Sequence, residues 1–301
     1  MSDLTALNAT FAIPGIVALE AGEGGLTRIA VTSLLAEAHV YLHGGHVTYF
    51  QPRGQEPVLF MSRKSHFSTG KAIRGGIPVI FPWFGPRAGD AAAPQHGFAR
   101  TASWGVREIK QSDDGAIVIT LALGPSDATR QWLADFNLVY TISIGTSLDL
   151  SLQVNNSSAD SIKFEEALHT YLSVADVRNV GVEGLSGRRF IDKVAGMQRK
   201  VQPPGPIQIE GETDRVYLDA PETVRTADPG MSRQIAVSKH GSLSTVVWNP
   251  WIEKARAMSD FGDDEWPRML CIETANAADN AIVLPAGQTH SMEASITVTT
   301  A

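Results

Sequence analysis

The sequence predicts an all-β protein, a large antiparallel sandwich, and three observations support this. Segments rich in β-branched and apolar residues recur along most of the 301 residues. Turn compositions, such as Asn-Asn-Ser-Ser at 155–158, separate these segments. Helical periodicity is scarce, and the sequence does not alternate strand and helix patterns as parallel-sheet proteins do.

Six segments account for most of the strand prediction: 116–123, 136–144, 147–154, 243–248, 268–273 and 292–299. The third alternates polar and apolar residues with a period of two, as expected for a strand with one buried face. Short helical turns are predicted at 126–132 and 252–258. The Pro-rich stretch 202–206 is interpreted as a loop rather than a linker. One domain over residues 1–301, with its core at about 12–299, is therefore the favoured interpretation.

Composition excludes several classes of protein. The 25 Lys and Arg residues against 32 Asp and Glu give a net charge of −7, which excludes a broad nucleic-acid-binding surface. The single cysteine, Cys271, excludes an intramolecular disulfide framework and any cysteine-based zinc or iron–sulfur site. No apolar run approaches the roughly 18–20 residues of a membrane helix, and the N-terminal residues lack a secretory-signal pattern. We therefore expect a soluble cytoplasmic protein without membrane or nucleic-acid partners.

Two segments contain polar side chains suited to binding a ligand. Arg74 precedes two glycines, which would place a planar guanidinium beside backbone that a ligand can approach closely. Gln95, His96 and Arg100 lie together in a Gly-containing segment typical of a functional loop. A surface arginine before a turn and an ordinary polar loop are the alternative interpretations.

Two further segments supply groups suited to proton transfer. If 164–172 is one strand, His169 shares a face with Glu165 and Tyr171, and its ordinary pKa of about 6.5 suits proton exchange. Glu273 ends an otherwise apolar strand, and carboxylates are rarely buried unless they are paired. Glu273 is therefore either at an exposed strand end or in a cleft that raises its pKa, as a general base requires. For His169 the alternative is a buried, hydrogen-bonded core histidine.

A metal-site hypothesis arises from three nearby histidines, His39, His43 and His46. On a strand, Cα atoms four residues apart are about 13 Å apart, so we predict no metal here. Three tryptophans also lie close together in the sequence, namely Trp248, Trp251 and Trp266. They would either stack on a sugar face or pack in the core.

Together these segments resemble the hexose-6-phosphate mutarotase family (glucose-6-phosphate 1-epimerases), within the galactose-mutarotase-like superfamily. The matching segments, in the order typical of the family, are LHGGHV at 42–47, KAIRGGIPVIFP at 71–82, PQHGFAR at 94–100, ALHTY at 167–171, GLSG at 184–187, TDRVY at 213–217, WNPW at 248–251 and CIE at 271–273. The resemblance implies a β-supersandwich with large antiparallel sheets and an open ligand cleft. It also implies interconversion of the α and β anomers of a hexose 6-phosphate without a cofactor.

Carried over by position, the resemblance implies that His169 and Glu273 are catalytic. It implies substrate binding by five residues: Arg74, Gln95, His96, Arg100 and Asp214. The sequence departs from the family at Trp83, where glutamine is common, and at Thr274-Ala275, where Pro-Gly is common. These departures leave the catalytic groups in place but bear on the pocket wall and on the turn after Glu273, so they affect substrate preference more than reaction type.

The implied mechanism assigns a role to each charged group. Glu273 takes the C1 hydroxyl proton and a protonated His169 donates to the ring oxygen O5. We expect Glu165 or Glu166 to favour the charged imidazole. Two arginines, at positions 74 and 100, are expected to hold the 6-phosphate of a small sugar phosphate. We expect the protein to act as a monomer.

Three other functions remain as alternatives. An aldose 1-epimerase for unphosphorylated sugars would not need the two arginines. A non-catalytic carbohydrate-binding protein on the same scaffold would not need both His169 and Glu273. A glycoside hydrolase or lyase is less favoured, because we find no second carboxylate for a paired-acid site.

Overall fold

Antiparallel strands dominate the computed structural model, which describes residues 3–133 and 135–300. The strands in this part of the chain are β1 Val17–Ala21, β2 Thr27–Thr32, β3 Ala36–Tyr41, β4 His46–Pro52, β5 Val79–Ile80, β6 Gly105–Gln111, β7 Ile117–Leu123, β8 Asn137–Ile144, β9 Leu148–Asn155, β10 Ile162–Phe164, β11 Glu166–Leu168, β12 Tyr171–Ser173, β13 Gly181–Glu183, β14 Arg189–Asp192, β15 Gln198–Val201, β16 Thr213–Tyr217, β17 Thr223–Asp228, β18 Arg233–His240, β19 Ser244–Asn249, β20 Met269–Asn276, β21 Ile282–Leu284 and β22 Thr289–Thr300. Two α-helices accompany them, α1 Leu4–Phe11 and α2 Trp251–Ala257.

Two eight-stranded sheets form the body of the protein. The β9 sheet has the order β13-β17-β18-β22-β9-β8-β7-β6. The β20 sheet has the order β15-β14-β16-β19-β20-β11-β5, and β12 also pairs with β20. A four-stranded sheet, β1-β2-β3-β4, and the pair β10-β21 complete the described strands.

The hydrophobic core contains side chains of both large sheets. Along β8 in the β9 sheet, every second residue is buried, namely Leu138, Tyr140, Ile142 and Ile144. This alternation is typical of a sheet with one face in the core and one face toward solvent. These residues belong to the same buried cluster as Val247 and Ile272 of the β20 sheet. This shared cluster supports the prediction of one domain, which remains a prediction.

The central strands of the β20 sheet are buried along their whole length. Every residue of β19 and of β20 is buried, so both faces of these strands are covered. One face packs in the shared core. The other forms the floor of a cleft whose walls come from loops and from α2.

The predicted fold class is confirmed, and each of the six predicted strands lies within three residues of a strand in the structure. The helix predicted at 252–258 corresponds to α2, whereas 126–132 forms only turns. Helix α1 was not predicted, although its signals are present in the sequence. Asp3 caps its N-terminus by accepting hydrogen bonds from the backbone of Thr5 and Ala6, and Leu7 packs against the core. Neither helix of the described residues is long and apolar enough to cross a membrane.

Candidate active site

A cleft of about 360 Å³ opens over the centre of the β20 sheet. All seven residues singled out from the sequence line it: Arg74, Gln95, His96, Arg100, His169, Asp214 and Glu273. The fold therefore brings together side chains that are spread over about 200 positions of the chain. Further lining residues are Phe84, Gly85, Pro86, Lys193, Trp248, Lys254 and Met258.

Strand register places a row of side chains on the cleft face. Asp214 of β16 lies opposite Trp248 of β19, Trp248 lies opposite Cys271 of β20, and Cys271 lies opposite Tyr171 of β12. Residues directly opposite in antiparallel strands point to the same face of the sheet. Glu273 lies two residues beyond Cys271 and so points to this face as well.

His169 and Glu273 are in direct contact at the cleft floor. Nε2 of His169 lies 3.3 Å from Oε1 of Glu273, and the side chains are 9% and 1% exposed. The imidazole stacks on the Tyr171 ring with centroids 4.7 Å apart, and the Trp248 ring meets it edge-on at 6.0 Å. Two aromatic rings thus fix the orientation of the imidazole relative to the carboxyl group.

The surroundings of this pair favour its uncharged form. Burial raises the pKa of Glu273 well above its ordinary value, and the nearby Asp214 charge adds to the shift. Burial also lowers the pKa of His169 well below its ordinary value, as do the charges of Arg74 and Arg100. Both shifts favour the form of the pair in which the carboxyl group holds the proton and the imidazole is neutral.

The expectation that Glu165 or Glu166 would charge His169 is wrong. Glu165 accepts hydrogen bonds from the backbone N–H groups of Phe84 and Ala278, at 2.9 and 2.7 Å. Glu166 pairs with His290 at 2.7 Å. Both carboxylates connect structural elements, and the carboxyl group beside His169 is Glu273 itself.

The two glycines after Arg74 allow a close approach of the protein's own backbone. Gly75 has a φ of +112°, and a Cβ there would lie 2.5 Å from the carbonyl oxygen of Phe60. Gly76 has a φ of +61°, and its Cβ would lie 2.3 Å from the carbonyl oxygen of Val47. The sequence interpretation, in which these glycines admit a ligand, is therefore wrong, because the backbone of Phe60 and of Val47 occupies that space.

The histidines of the segment 42–47 support the chain around Arg74. Nε2 of His43 lies 2.6 Å from the carbonyl oxygen of Lys71, and Nε2 of His46 lies 2.8 Å from that of Gly75. Burial lowers the pKa of His46 to about 3, so this ring is neutral. These contacts give the two histidines a structural role.

Arg74 already has partners within the protein. Its Nε and Nη2 donate to the Asp260 carboxylate at 3.2 and 3.1 Å, and its Nη1 donates to the Tyr171 hydroxyl at 2.9 Å. Asp260 therefore offsets much of its positive charge. The guanidinium is held firmly at the cleft wall.

Arg100 is the cleft cation with an unneutralised charge. Its Nη2 donates to the carbonyl oxygen of Gln95 at 2.7 Å, its buried Nε has no partner, and no carboxylate of the described residues forms an ion pair with it. Burial and the nearby Arg74 charge lower the pKa of Arg100 to about 10. An anionic ligand would relieve this electrostatic cost.

His96 supplies a neutral hydrogen-bond donor. Its backbone has a φ of +63°, a conformation that non-glycine residues rarely adopt. Its N–H donates to the carbonyl oxygen of Gly85 at 2.7 Å, and its Nδ1 accepts from the Gly85 N–H at 3.2 Å. Because Nδ1 is an acceptor, Nε2 carries the ring hydrogen, and burial lowers the pKa so that the ring stays uncharged.

Trp83, one of the departures from the family pattern, anchors the loop that forms one cleft wall. Its Nε1 donates to the carbonyl oxygen of Pro94 at 2.9 Å. The Trp132 ring packs edge-on against it at 5.6 Å, and the Arg87 guanidinium lies 5.1 Å above it. Residues 84–95 are thereby attached to the core next to Gln95 and His96.

Two lysines of the cleft were missed in the sequence. Lys193 follows β14, and its Nζ lies 3.1 Å from the Asp214 carboxylate. Lys254 of α2 lies 3.1 Å from Glu212. A largely buried carboxylate such as Asp214 usually has a cationic partner, but nothing in the sequence indicates which lysine supplies it.

Comparison with known proteins gives the family. Residues 29–297 match the family model described as aldose 1-epimerase. The chain belongs to the aldose 1-epimerase family. The family resemblance inferred from the ordered motifs is thus confirmed.

Similar proteins match this family member over most of their length. A candidate glucose-6-phosphate 1-epimerase from Salmonella typhimurium is 37% identical over 253 residues, which are 84% of each chain. One from Escherichia coli is 36% identical over 266 residues, or 88% of each chain. The crystal structure of a candidate mutarotase from Salmonella typhimurium has a TM-score of 0.90 at 30% identity and covers 99% of both chains.

One cluster in this aldose 1-epimerase family member has the residue types that metals prefer. Ligand atoms of His169, Cys271 and Glu273 lie within 4.8 Å of one another. Four cations line the same cleft, namely Arg74, Arg100, Lys193 and Lys254. Three of them are paired with carboxylates, but the charge of Arg100 opposes a divalent cation, and burial raises the pKa of Cys271, which favours its protonated thiol. These charges support the prediction of a metal-free site, which remains a prediction.

Proposed function

We propose that this protein interconverts the α and β anomers of glucose 6-phosphate by opening and closing the sugar ring. The contact between His169 and Glu273 at 3.3 Å carries the proposal, because it places an acid and a base side by side in an open cleft. The unneutralised charge of Arg100 supports a phosphorylated substrate. The relatives named as candidate glucose-6-phosphate 1-epimerases point to the same substrate.

Ring opening needs one proton to leave O1 and another to reach O5. In the reactive form of the pair, the Glu273 carboxylate takes the O1 proton, and the electrons of that bond form the C1–O1 double bond. The C1–O5 bond breaks, and the His169 imidazolium donates its proton to O5. Rotation about C1–C2 followed by the reverse transfers closes the ring on the other face.

The proton count of the pair is constant during this cycle. Before ring opening the proton is on the imidazole, and afterwards it is on the carboxyl group, which is the form that burial favours. The pair therefore needs no net proton exchange with solvent. Each positioned proton transfer typically contributes about 10²- to 10⁴-fold to the rate.

The other predicted residues would hold the sugar in place. Asp214 is suited to accept hydrogen bonds from sugar hydroxyls, and Gln95 and His96 are suited to donate them. Arg100, with Arg74 beside it, would bind the phosphate. We also propose that the monomer is active, because the seven predicted site residues of one chain meet in one cleft; light scattering on the active protein would test this. The cytoplasmic location expected from the sequence stays a prediction.

The test is anomer exchange measured by NMR on α-glucose 6-phosphate with wild-type protein and with Glu273→Gln. The variant should reduce kcat by about 10²- to 10⁴-fold and change KM much less. Glu253→Gln is the matched control, because Glu253 is an exposed residue of α2 outside the cleft lining. Near wild-type exchange by Glu273→Gln would refute the assigned role.

The same assay separates the alternative functions. The family description as aldose 1-epimerase makes free sugars the second candidate. Equal kcat/KM on α-glucose, galactose and glucose 6-phosphate would favour that candidate. Binding of the phosphosugar without faster exchange would instead indicate a non-catalytic carbohydrate-binding protein.

A further inference from the structure

We infer that Lys193 is a positioning residue for the acid–base chemistry, and that it acts through Asp214 and Glu273. The inference rests on the proposed function, since it concerns the same cleft. Lys193 keeps Asp214 ionised as an acceptor for the sugar and favours the carboxylate form of Glu273.

Main-chain and side-chain contacts tie Lys193 to Asp214. The Lys193 N–H donates to the Asp214 carbonyl oxygen at 2.9 Å, where β14 ends beside β16. Its Nζ lies 3.1 Å from the Asp214 carboxylate. Because two bonds join the same two residues, the ammonium group has a defined position at this end of the cleft.

A contact with the aromatic ring of Phe84 fixes the ammonium group further. Nζ lies 5.3 Å from the centroid of the Phe84 ring, within the range of a cation–π interaction. Phe84 belongs to the loop that Trp83 anchors. Lys193 thus bridges the β14–β15 turn and this loop across the cleft.

Charge gives this lysine its effect on the chemistry. Asp214 and Glu273 are two largely buried carboxyl groups in one cleft, and the Asp214 charge raises the pKa of Glu273. Burial also raises the pKa of Asp214 and of Glu273. The Lys193 charge acts in the opposite direction and lowers the pKa of each carboxyl group. The other charged or titratable groups of the described residues that face them are Arg74, Arg100, His96, His169, Tyr171, Glu212, Lys254 and Cys271.

The other cations of the cleft have other partners, although the charge of Lys254 also lowers the pKa of Asp214. Arg74 is paired with Asp260, and Lys254 is paired with Glu212. Arg100 donates to the carbonyl oxygen of Gln95, and among the described residues it forms neither a hydrogen bond nor an ion pair with Asp214. In the described residues, Lys193 is the cation bonded to Asp214.

The test is the pH profile of kcat/KM for exchange of glucose 6-phosphate, compared between wild type, Lys193→Met and Lys193→Gln. Without the ammonium charge, Asp214 and Glu273 hold their protons more tightly. The acidic limb of the kcat/KM profile should therefore move to higher pH by about one unit. Lys193→Arg should restore the wild-type limb. Lys200→Met is the matched control, because Lys200 of β15 pairs with Asp192 at 2.7 Å and does not line the cleft.

An unshifted acidic limb in both Lys193 variants would overturn the inference, as would an equal shift in Lys200→Met. Lys193→Gln keeps a hydrogen-bond donor and carries the test if Lys193→Met does not fold. Carbon-13 NMR titration of the side-chain carboxyl groups gives a readout that does not depend on turnover. Inactive wild-type protein would refute the proposed function, and unchanged Asp214 and Glu273 titrations in Lys193→Gln would refute this inference separately.

Discussion

Replacing Arg100 with methionine isolates the contribution of a phosphate ligand. Arg100 is the cleft cation that the described residues leave without a carboxylate, whereas Arg74 is held by Asp260 and Tyr171. Removing Arg74 would leave the Asp260 carboxylate unpaired beside the proposed phosphate site, which would add a second effect. Arg100→Met keeps much of the aliphatic stem and removes only the charge and its donors.

The expected loss follows from one charge-assisted contact. Such a contact contributes about 1.5–3 kcal/mol, so kcat/KM for glucose 6-phosphate should fall about 10- to 150-fold. Exchange of α-glucose should be nearly unchanged. Because burial disfavours the Arg100 charge in the ligand-free protein, the melting temperature of the variant should be no lower than that of wild type.

Two assays check this reasoning. NMR exchange on both sugars gives the ratio of kcat/KM, and thermal melting with and without glucose 6-phosphate reports binding to the folded state. Arg225→Met removes a charge from an exposed position of β17 in the other sheet and controls for net charge. Equal losses on both sugars, or no loss on the phosphosugar, would contradict a phosphate role for Arg100.

Two other changes have defined outcomes. Trp83→Phe keeps an aromatic ring but removes the bond to Pro94, so the KM for glucose 6-phosphate should rise about five-fold with little change in kcat, and a fall in kcat alone would argue against loop anchoring. Lys239 is buried without a carboxylate partner in the described residues, and burial lowers its pKa to about 7 from 10.5. The unfolded chain binds this proton more tightly, so the free energy of unfolding should rise from pH 7 to 10.5 by up to about 1.4 kcal/mol per pH unit. Urea titrations should show a smaller rise in the free energy of unfolding with pH for Lys239→Met than for wild type. If this free energy has the same pH dependence in both proteins, the prediction is contradicted.

The fold class could be predicted from the sequence because the alternation of polar and apolar residues along a strand is a local property. Segments such as 147–154 show which side chains are buried without reference to any partner strand. Register depends on contacts between distant parts of the chain. The row that joins Asp214, Trp248 and Tyr171 was therefore not predictable from one sequence.

The sequence singled out seven residues that line one cleft, but it did not show most of their contacts. Motifs pointed to Arg74 but not to Asp260, its partner 186 positions later. They pointed to Asp214 but not to Lys193, which follows a strand with no distinguishing pattern. In each case the missing partner comes from another strand or loop, and only the folded chain shows which residue it is.

The row across β16, β19, β20 and β12 restricts where substrate preference can evolve. If the register of one of these strands shifted by one residue, its side chain in this row would point into the core instead of the cleft. The strands therefore tolerate little variation in length. The loop 84–95 and the turn after Lys193 carry no such constraint. Insertions and substitutions there would change which hexose fits, while the floor with the proposed acid–base pair stays the same.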